Sequence, residues 1–277
     1  MKILMMEGNT IETQQKAKKI GVISASDVYI NAIRCFDKHI GIDVVNAAEG
    51  QVLPEGESFE NYAGLVISGS SLRAFDETPE VIKQIDALIE FAKTGKPILG
   101  SCWGLQIAAI ASGGAVAPCR NGRELGVARK ISLTACAQTH PFMQQKPWFY
   151  DAPCIHYDEV TRLPANATLL CSNAHSEIQG AIIPVEKSEV WGVQYHPEFD
   201  IAQLRMLFEL YKDDMLNDKF VENDEGHARL IEQMKALELE PNNKAMAWLL
   251  GIDTDLTDGN IRGLEILNWL NYIKSIG

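Results

Sequence analysis

One cysteine in the chain has neighbours that suit a nucleophile. Cys102 lies in the segment 95–106, GKPILGSCWGLQ, with Gly100 and Gly104 each two residues away from it. Apolar strand-forming residues precede the cysteine and apolar helix-forming residues follow it. This pattern predicts a nucleophile elbow, a tight turn from strand to helix that needs small neighbours and presents its side chain at the carboxyl edge of a sheet. The start of a helix also favours the thiolate form of a cysteine.

A second segment could supply the partners of this cysteine. Residues 191–199, WGVQYHPEF, run from an apolar strand into His196, Pro197 and Glu198. A thiol nucleophile needs a base that takes its proton and later protonates the leaving amine, and that base needs an acceptor on its other ring nitrogen. Pro197 ends the strand ladder, so Glu198 can turn back toward the ring of His196. We therefore predict a catalytic triad of Cys102, His196 and Glu198.

The other histidines are weaker candidates for the base. His39, His140 and His227 lie in polar stretches without a fixed acidic neighbour, and we predict that they are surface residues. His156 and His175 fall in an irregular region that could overhang the site, which favours a role at its rim or in substrate contact. The six cysteines are scattered, with no cluster at zinc spacing, so neither a disulfide framework nor a metal site is expected.

The region up to about residue 200 must position these side chains. Short aliphatic runs alternate there with amphipathic stretches of helix length, which is typical of an α/β domain with an open, mainly parallel sheet. We expect strands at 3–6, 42–45, 65–68, 97–99 and 191–195, and helices at 26–37, 78–94 and 103–111. Short strands separated by Pro, Asn and Gly between 127 and 183 predict an antiparallel excursion from this sheet.

The remainder of the chain has a different character. Residues 201–277 form successive helical patterns with an excess of acidic residues, which indicates a helical C-terminal extension. We therefore predict two units, 1–203 and 204–277. Apolar residues at largely helical spacing in the last segment, 261–273, predict a helix packed on the main domain, with a partner-binding face as the second interpretation.

Composition excludes several classes of protein. A chain of 277 residues with ordinary apolar and charged fractions is expected to be a soluble globular protein. No apolar run reaches membrane-spanning length, and the start MKILMMEGNT indicates a first strand rather than a secretion signal, so we expect a cytoplasmic protein without a membrane partner. A net charge of -12 disfavours nucleic acid as a partner.

Four segments together carry a family resemblance. They are VISGSSLRAFDETPEV at 66–81, GSCWGLQ at 100–106, HYDEVTRLPANATLL at 156–170 and HPEF at 196–199. In these segments, up to about residue 205, the chain resembles the class I glutamine amidotransferases. It is similar in style to the amidotransferase domain of GMP synthetase and to the stand-alone γ-glutamyl peptidases of plants. The resemblance implies a flavodoxin-like α/β fold.

The resemblance also implies roles for individual residues. Cys102 would form a γ-glutamyl thioester, while His196 would act as general base and acid and Glu198 would orient it. The backbone N–H groups of Trp103 and of either Gly69 or Ser70 would form the oxyanion hole.

The amino acid end of the substrate would be held by a further set of residues. The matching positions are Gln106 and the backbone around Tyr157 and Asp158. The loop 68–71 departs from the family pattern, because it reads SGSS where domains like that of GMP synthetase carry Gly-Gly-Pro, and this is nearer the peptidase style. The segment 10–24 and the helical extension lie outside the family core, and the sequence assigns no chemistry to them.

Three functions are compatible with this resemblance. The first is hydrolysis of the γ-amide of glutamine through a Cys102 thioester, with the ammonia passed to a separate synthetase subunit. The second is a stand-alone hydrolase or transpeptidase of γ-glutamyl compounds, and the third is a catalytically idle regulatory protein. An intact triad argues against the third, and the sequence leaves the first two open. The 277 residues lack the SGGxDS pyrophosphate loop, so no ammonia-accepting reaction is expected from them. No cofactor is expected either, and the oligomeric state is not predicted.

Overall fold

A computed structural model describes residues 1–19 and 21–277. The strands are β1 (Lys2–Met6), β2 (Gly41–Val45), β3 (Leu65–Ile67), β4 (Ile98–Ser101), β5 (Ala115–Pro118), β6 (Glu124–Leu133), β7 (Phe149–His156), β8 (Asp158–Arg162), β9 (Thr168–Ser172), β10 (Gly180–Val185) and β11 (Ser188–Val193). The helices are α1 (Ile11–Lys19), α2 (Ala25–Phe36), α3 (Pro79–Ala92), α4 (Trp103–Ala111), α5 (Ile201–Leu210), α6 (Lys212–Asn217), α7 (Asp224–Leu239), α8 (Lys244–Leu249), α9 (Thr254–Thr257), α10 (Gly259–Arg262) and α11 (Leu264–Ile276).

Within the described residues, nine strands form one sheet in the order β2-β1-β3-β4-β11-β10-β9-β6-β7. The first five of these strands are parallel neighbours, and the remaining four are joined by antiparallel pairs. Strands β5 and β8 form a separate antiparallel ribbon. The predicted α/β class, the mainly parallel sheet and the antiparallel excursion are confirmed.

Helices cover both faces of the central strand β1, whose residues 3–6 are apolar on both sides. Side chains alternate between the faces along β1. Ile3 and Met5 pack in one cluster with residues of α2 and α11, whereas Leu4 and Met6 pack in a second cluster with residues of α3 and α4. Each predicted helix of this region is present, within two residues of its expected ends.

The last strand of the parallel set differs from its expected bounds of 191–195. It begins at Ser188, because β10 and β11 form a hairpin in which Val185 pairs with Ser188. Glu186 adopts a positive φ of 51° in the hairpin turn. The strand ends at Val193, where β11 pairs with Ser101 at the end of β4, and the chain then turns toward His196.

The chain after residue 200 is helical, as predicted. The prediction that its last segment packs on the main domain is also confirmed, because Trp269 and Leu270 of α11 belong to the same buried cluster as Ile3 of the central strand β1. Helices α5 and α7 contribute to a third buried cluster. The division between 203 and 204 stays a prediction. Among the described residues, no helix is long and apolar enough to cross a membrane.

Candidate active site

Cys102 occupies the turn between β4 and α4. Its backbone has φ 49° and ψ -93°, and its N–H donates a hydrogen bond of 2.7 Å to the carbonyl oxygen of Val193. A positive φ is costly for a residue with a side chain, and it persists where the surrounding structure enforces it. A strained turn from strand to helix is the backbone geometry that a nucleophile elbow requires, and the role of Cys102 as nucleophile stays a prediction.

The two flanking glycines allow strand and helix to approach each other. A Cβ atom added to Gly100 would lie 2.9 Å from the Cα atom of Gly104, and one added to Gly104 would lie 3.2 Å from the Cβ atom of Ile67. Any larger residue at Gly100 would push α4 away from β4. The spacing of the glycines therefore fixes the position of Cys102 at the first turn of α4.

His196 follows β11 and its ring is enclosed. The Nδ1 atom lies 2.7 Å from Oε1 of Glu198, and the ring stacks on Phe199 with 3.9 Å between centroids. His196 is 3% exposed, and its backbone N–H donates to the carbonyl oxygen of Pro153. Its Nε2 atom is buried and has no hydrogen-bond partner in the part of the chain that the structure describes. Glu198 thus fixes Nδ1, and Nε2 is the nitrogen left to interact with Cys102.

The surroundings of His196 favour its protonated form. Burial by itself lowers the pKa of His196, but the negative charge of Glu198 and the proximity of Cys102 outweigh burial and raise this pKa to about 10. At neutral pH the imidazolium can therefore stabilise a neighbouring thiolate and hold a proton for a leaving group.

Glu198 is held by two side chains that the sequence analysis did not identify. Its Oε2 atom accepts a hydrogen bond of 2.9 Å from the hydroxyl of Ser101, and this hydroxyl lies 2.6 Å from the hydroxyl of Tyr29. Burial raises the pKa of Tyr29 well above its usual value, so its hydroxyl stays neutral. Ser101 could have been suspected because it precedes Cys102, whereas Tyr29 on α2 carries no sequence signal.

The residues predicted for the oxyanion hole lie beside the triad. Gly69 and Ser70 line the same cavity as Cys102, and Trp103 is the first residue of α4. The backbone N–H groups of these three residues donate no hydrogen bond to another group among the described residues. A Cβ atom on Gly69 would lie 2.9 Å from Cε1 of His196, so this position requires glycine.

The residues predicted to hold the substrate line the cavity as well. Nε2 of Gln106 donates 2.8 Å to the carbonyl oxygen of Asp158, and the ring of Tyr157 lies 3.6 Å below the guanidinium of Arg123. The carboxylate of Asp158 pairs with Arg73 through contacts of 3.1 Å and 2.7 Å. Arg73 also lines the cavity, although the sequence analysis did not single it out.

The cavity has a volume of about 590 Å³, within the range of roughly 300–1,000 Å³ typical of pockets for small molecules. Two of its walls come from parts of the chain outside the predicted family core or at its edge. One is the segment 10–24, which contributes residues on both sides of the undescribed position 20, and the other is α5. The sequence assigned no chemistry to the first of these walls.

The remaining histidines differ from one another. His156 lines the cavity but is only 2% exposed, with Nε2 2.8 Å from Oε2 of Glu124 and Nδ1 3.2 Å from Sγ of Cys119. We call these three residues the Cys119 cluster. His175 does not line the cavity, and its Nε2 faces the carbonyl oxygen of Gly122.

The predicted surface position of His227 is wrong. His227 is buried, and its Nε2 atom lies 3.0 Å from the carbonyl oxygen of Phe208. The polar residues around it in sequence lie on the outer face of α7, while His227 itself turns toward α5. His39 is exposed as predicted, and His140 is half-buried against Trp191.

Comparison with known proteins places this geometry in a family. The model of the glutamine amidotransferase class-I family matches residues 25–213, which include the elbow, the triad segments and α5. The chain therefore belongs to the class I glutamine amidotransferase family, and the predicted resemblance is confirmed.

Three similar proteins are named for particular activities or folds within this family. The chain is 30% identical over 287 residues to a γ-glutamyl-L-1-hydroxyisopropylamide hydrolase of Pseudomonas sp, and the alignment covers 99% of this chain and 93% of that protein. It is 35% identical to γ-glutamyl peptidase 4 of Arabidopsis thaliana over 57% of this chain and 62% of the peptidase. A glutamine amidotransferase structure from Thermotoga maritima shares the fold, with a TM-score of 0.66, 19% identity and coverage of 98% and 97% of the two chains.

Proposed function

We propose that the chain is a stand-alone hydrolase of γ-glutamyl amides that works through a thioester on Cys102. The observation that carries this proposal is the free Nε2 atom of His196, buried without a partner among the described residues, in a residue that lines one cavity with Cys102. Glu198 holds Nδ1 of His196 at 2.7 Å. Only Nε2 of His196 is then available to exchange a proton with a reacting group.

In the first step the Cys102 thiolate attacks the γ-carbonyl carbon of the substrate. The C–S bond forms while the carbonyl electron pair moves onto oxygen, and N–H groups of Trp103 and of Gly69 or Ser70 stabilise that negative charge. The tetrahedral species then expels the amine, whose nitrogen receives the proton of His196 as the C–N bond breaks. The products of this step are the free amine and the γ-glutamyl thioester.

In the second step a water molecule replaces the amine. His196, now neutral, takes a proton from the water as its oxygen attacks the thioester carbon. Collapse of this second tetrahedral species breaks the C–S bond and returns the electron pair to sulfur. Glutamate leaves, and the thiolate of Cys102 and the protonated His196 are restored.

The ion pair of Arg73 and Asp158 suits the amino acid end of a γ-glutamyl group. A zwitterion presents a carboxylate to the guanidinium and an ammonium to the carboxylate, and a carboxylate has lone pairs left after a bidentate contact with arginine. The Arg73 side chain is half-exposed at the cavity, whereas that of Asp158 is buried. Gln106 holds the backbone of Asp158 in place.

The size of the cavity and the named relatives favour γ-glutamyl hydrolysis over ammonia supply. Glutamine carries only an NH₂ group beyond its γ-carbonyl, which needs no wall from the segment 10–24 or from α5. The relative that covers nearly the whole chain is named as a hydrolase of a γ-glutamyl amide. Supply of ammonia to a synthetase subunit, our first interpretation of the sequence, has less support.

The proposal is tested by measuring glutamate release from glutamine and from γ-glutamyl alkylamides with the purified full chain. We expect kcat/KM for γ-glutamyl propylamide to exceed that for glutamine by about tenfold or more, since each methylene in an apolar pocket is worth roughly tenfold or more. The Cys102→Ala variant measures background. Efficient hydrolysis of glutamine without hydrolysis of any alkylamide would contradict the proposal.

A further inference from the structure

The loop 68–71 carries the backbone N–H groups of Gly69 and Ser70, one of which is proposed for the oxyanion hole. Neither N–H group donates a hydrogen bond to another group among the described residues, so neither holds the loop in place. An oxyanion hole stabilises developing charge only when its donors are in position before the reaction. Contacts at the two ends of the loop must therefore fix it.

The first end of the loop is fixed by its neighbouring strand. The backbone N–H of Ser68 donates 3.1 Å to the carbonyl oxygen of Met6 at the end of β1, directly after the pairing of β1 with β3. The N–H of Gly8 donates 3.0 Å to the hydroxyl of Ser68. A Cβ atom on Gly8 would lie 2.6 Å from the carbonyl oxygen of Gly69, so the chain after β1 packs directly on the loop.

The second end of the loop is held by one side chain. The Oδ1 atom of Asn9 accepts 2.9 Å from the backbone N–H of Ser71 and 3.2 Å from its hydroxyl. Within residues 1–19 and 21–277, these two donors of Ser71 have no other partner. Ser71 is exposed, and water competes for an exposed hydrogen bond. The contact therefore holds the loop only because its acceptor is rigid.

Asn9 is rigid because a buried carboxylate binds it. Oε1 of Glu7, which is 2% exposed, accepts from the backbone N–H of Asn9 at 3.0 Å and from its Nδ2 at 3.3 Å. Oε2 of Glu7 accepts 2.7 Å from the backbone N–H of Ser26 in the first turn of α2. A carboxylate accepts and a backbone N–H donates, so Glu7 and the loop together determine which way the amide of Asn9 points.

We propose that Asn9 is a positioning residue that holds the oxyanion loop, an inference that rests on the proposed function. Through Ser71 it keeps the N–H of Gly69 or Ser70 directed toward the γ-carbonyl oxygen of the substrate while negative charge develops there. Asn9 lies before the residues that match the family model. The part of the chain in front of α2 thus contributes to the reaction without contacting the reacting atoms.

Hydrolysis of γ-glutamyl propylamide by the full chain tests this role. Asn9→Ala should lower kcat by about thirtyfold, less than the loss of roughly 100-fold or more that follows removal of an oxyanion donor itself. KM should change by less than about twofold, because the loop acts on charge that is present only in the transition state. The inhibition constant of the product glutamate should also change by less than about twofold.

Alkylation of Cys102 by iodoacetamide separates this role from damage to the triad. The thiolate forms a C–S bond at the methylene carbon, and iodide leaves with the electron pair of the C–I bond. No negative charge develops on a carbonyl oxygen, so this reaction needs no oxyanion hole. The rate at which peptide mapping detects alkylated Cys102 should therefore agree within about twofold between Asn9→Ala and the unmodified protein. A fall in this rate equal to the fall in kcat would overturn the positioning role.

A second asparagine of the same network supplies a matched control. Asn46 donates 3.0 Å to the backbone carbonyl oxygen of Asn9, and it is not among the described residues that line the cavity. Asn46→Ala removes a side-chain amide beside Asn9 but leaves the contact with Ser71 intact. Its kcat should stay within about threefold of the unmodified protein. Equal losses of kcat in the two variants would assign the effect to packing around Asn9 and overturn the role.

Ser71→Ala tests the contact from its other side. It removes the hydroxyl and keeps the N–H, so kcat should fall by about threefold. The double variant with Asn9→Ala should lose no more than Asn9→Ala alone, because both changes act on one contact. Ser71→Ala leaves Glu7 and Asn9 untouched, so it decides the question even where thermal unfolding shows that Asn9→Ala is not folded. An unchanged kcat, or losses that multiply in the double variant, would overturn the role.

The remaining outcomes separate this role from the proposed function. A rise in KM with unchanged kcat in Asn9→Ala would make Asn9 a substrate contact, and unchanged values of both would show that the loop does not depend on it. Either result would overturn the positioning role and leave γ-glutamyl hydrolysis standing. Failure of the unmodified protein to hydrolyse any γ-glutamyl amide would refute the proposed function and this role with it.

Discussion

Two buried clusters of one cysteine, one histidine and one glutamate lie within residues 1–19 and 21–277, and we propose that one of them is the reactive site. In the first, His196 contacts Glu198 at 2.7 Å beside Cys102, and in the second, His156 contacts Glu124 at 2.8 Å beside Cys119. The residue types and the histidine–glutamate distances are nearly the same. Their surroundings are different.

In the Cys119 cluster every ring nitrogen has a partner. Nδ1 of His156 faces both Cys119 and the carbonyl oxygen of Asp158, and Nε2 faces Glu124. Burial raises the pKa of the Cys119 thiol, so this cysteine stays protonated, and it does not line the cavity. The two clusters therefore differ in whether the cysteine lines the cavity and in whether a ring nitrogen is left without a partner among the described residues, and these two differences support our choice of Cys102 as nucleophile.

The largest expected effect is a difference in kcat between alanine variants of the two cysteines. Cys102→Ala should reduce kcat for γ-glutamyl propylamide by about ten thousandfold or more, because the covalent route is lost. Cys119→Ala removes a thiol that does not line the cavity, so kcat should stay within about threefold. A larger loss of kcat in Cys119→Ala than in Cys102→Ala would show that the Cys119 cluster, and not the triad of Cys102, is the reactive site.

The second prediction compares Glu198 with Glu124 by the effect of a glutamine substitution on kcat and on the pH profile of kcat/KM. Glu198→Gln should lower kcat by about a hundredfold, the usual scale for a residue that orients a reacting group. It also removes the charge that raises the pKa of His196. In the unmodified protein the alkaline limb of kcat/KM should therefore lie near pH 10, and in Glu198→Gln it should move to lower pH.

Glu124→Gln is the control for that pH profile. It keeps the charge on Glu198, so the alkaline limb should stay near that of the unmodified protein. Movement of the limb in Glu124→Gln alone would assign the titrating group to His156 in place of His196.

The smallest expected effect is a change in the free energy of unfolding when Glu124 of the Cys119 cluster is replaced. Burial by itself would raise the pKa of Glu124, but hydrogen bonds from His156, Asn173 and Gln179, with the charge of His156, lower it below its ordinary value. A lowered pKa in the folded state stabilises the fold above the unfolded-state pKa and loses this effect as the pH falls through the folded-state pKa.

Urea unfolding of Glu124→Gln measures this contribution. At pH 7 we expect a loss of about 2 kcal/mol in the free energy of unfolding, the scale for hydrogen bonds to a charged carboxylate. The difference from the unmodified protein should shrink as the pH falls below the unfolded-state pKa of a glutamate, about 4.3, and through the lowered folded-state pKa of Glu124. A constant difference from pH 7 to pH 3 would contradict a charged Glu124.

Cys102, His196 and Glu198 could be proposed as a triad from the sequence because the segments that carry them are local. The glycines around Cys102 determine the turn within five residues, and only Pro197 separates His196 from Glu198. The Cys119 cluster could not be predicted in this way, because pairing of β6 with β7 brings Glu124 opposite His156. No sequence spacing marks that contact.

Two further features depended on helix orientation. The position of Gln203 in the cavity wall follows from the face that α5 turns toward the cavity, and the burial of His227 follows from the face that α7 turns toward α5. Polar neighbours in the sequence suggested exposure for His227, but the rotation of a helix about its axis is set by packing.

Covalent labelling with an electrophilic γ-glutamyl analogue, followed by peptide mapping, tests the central claim most directly. Cys35 and Cys136 are exposed, whereas Cys102 is buried at the base of the cavity, so accessibility alone would direct a reagent to the first two. We predict that one label per chain appears on Cys102, that activity is lost in proportion, and that substrate protects against both. Complete inactivation with Cys102 unlabelled would contradict the account.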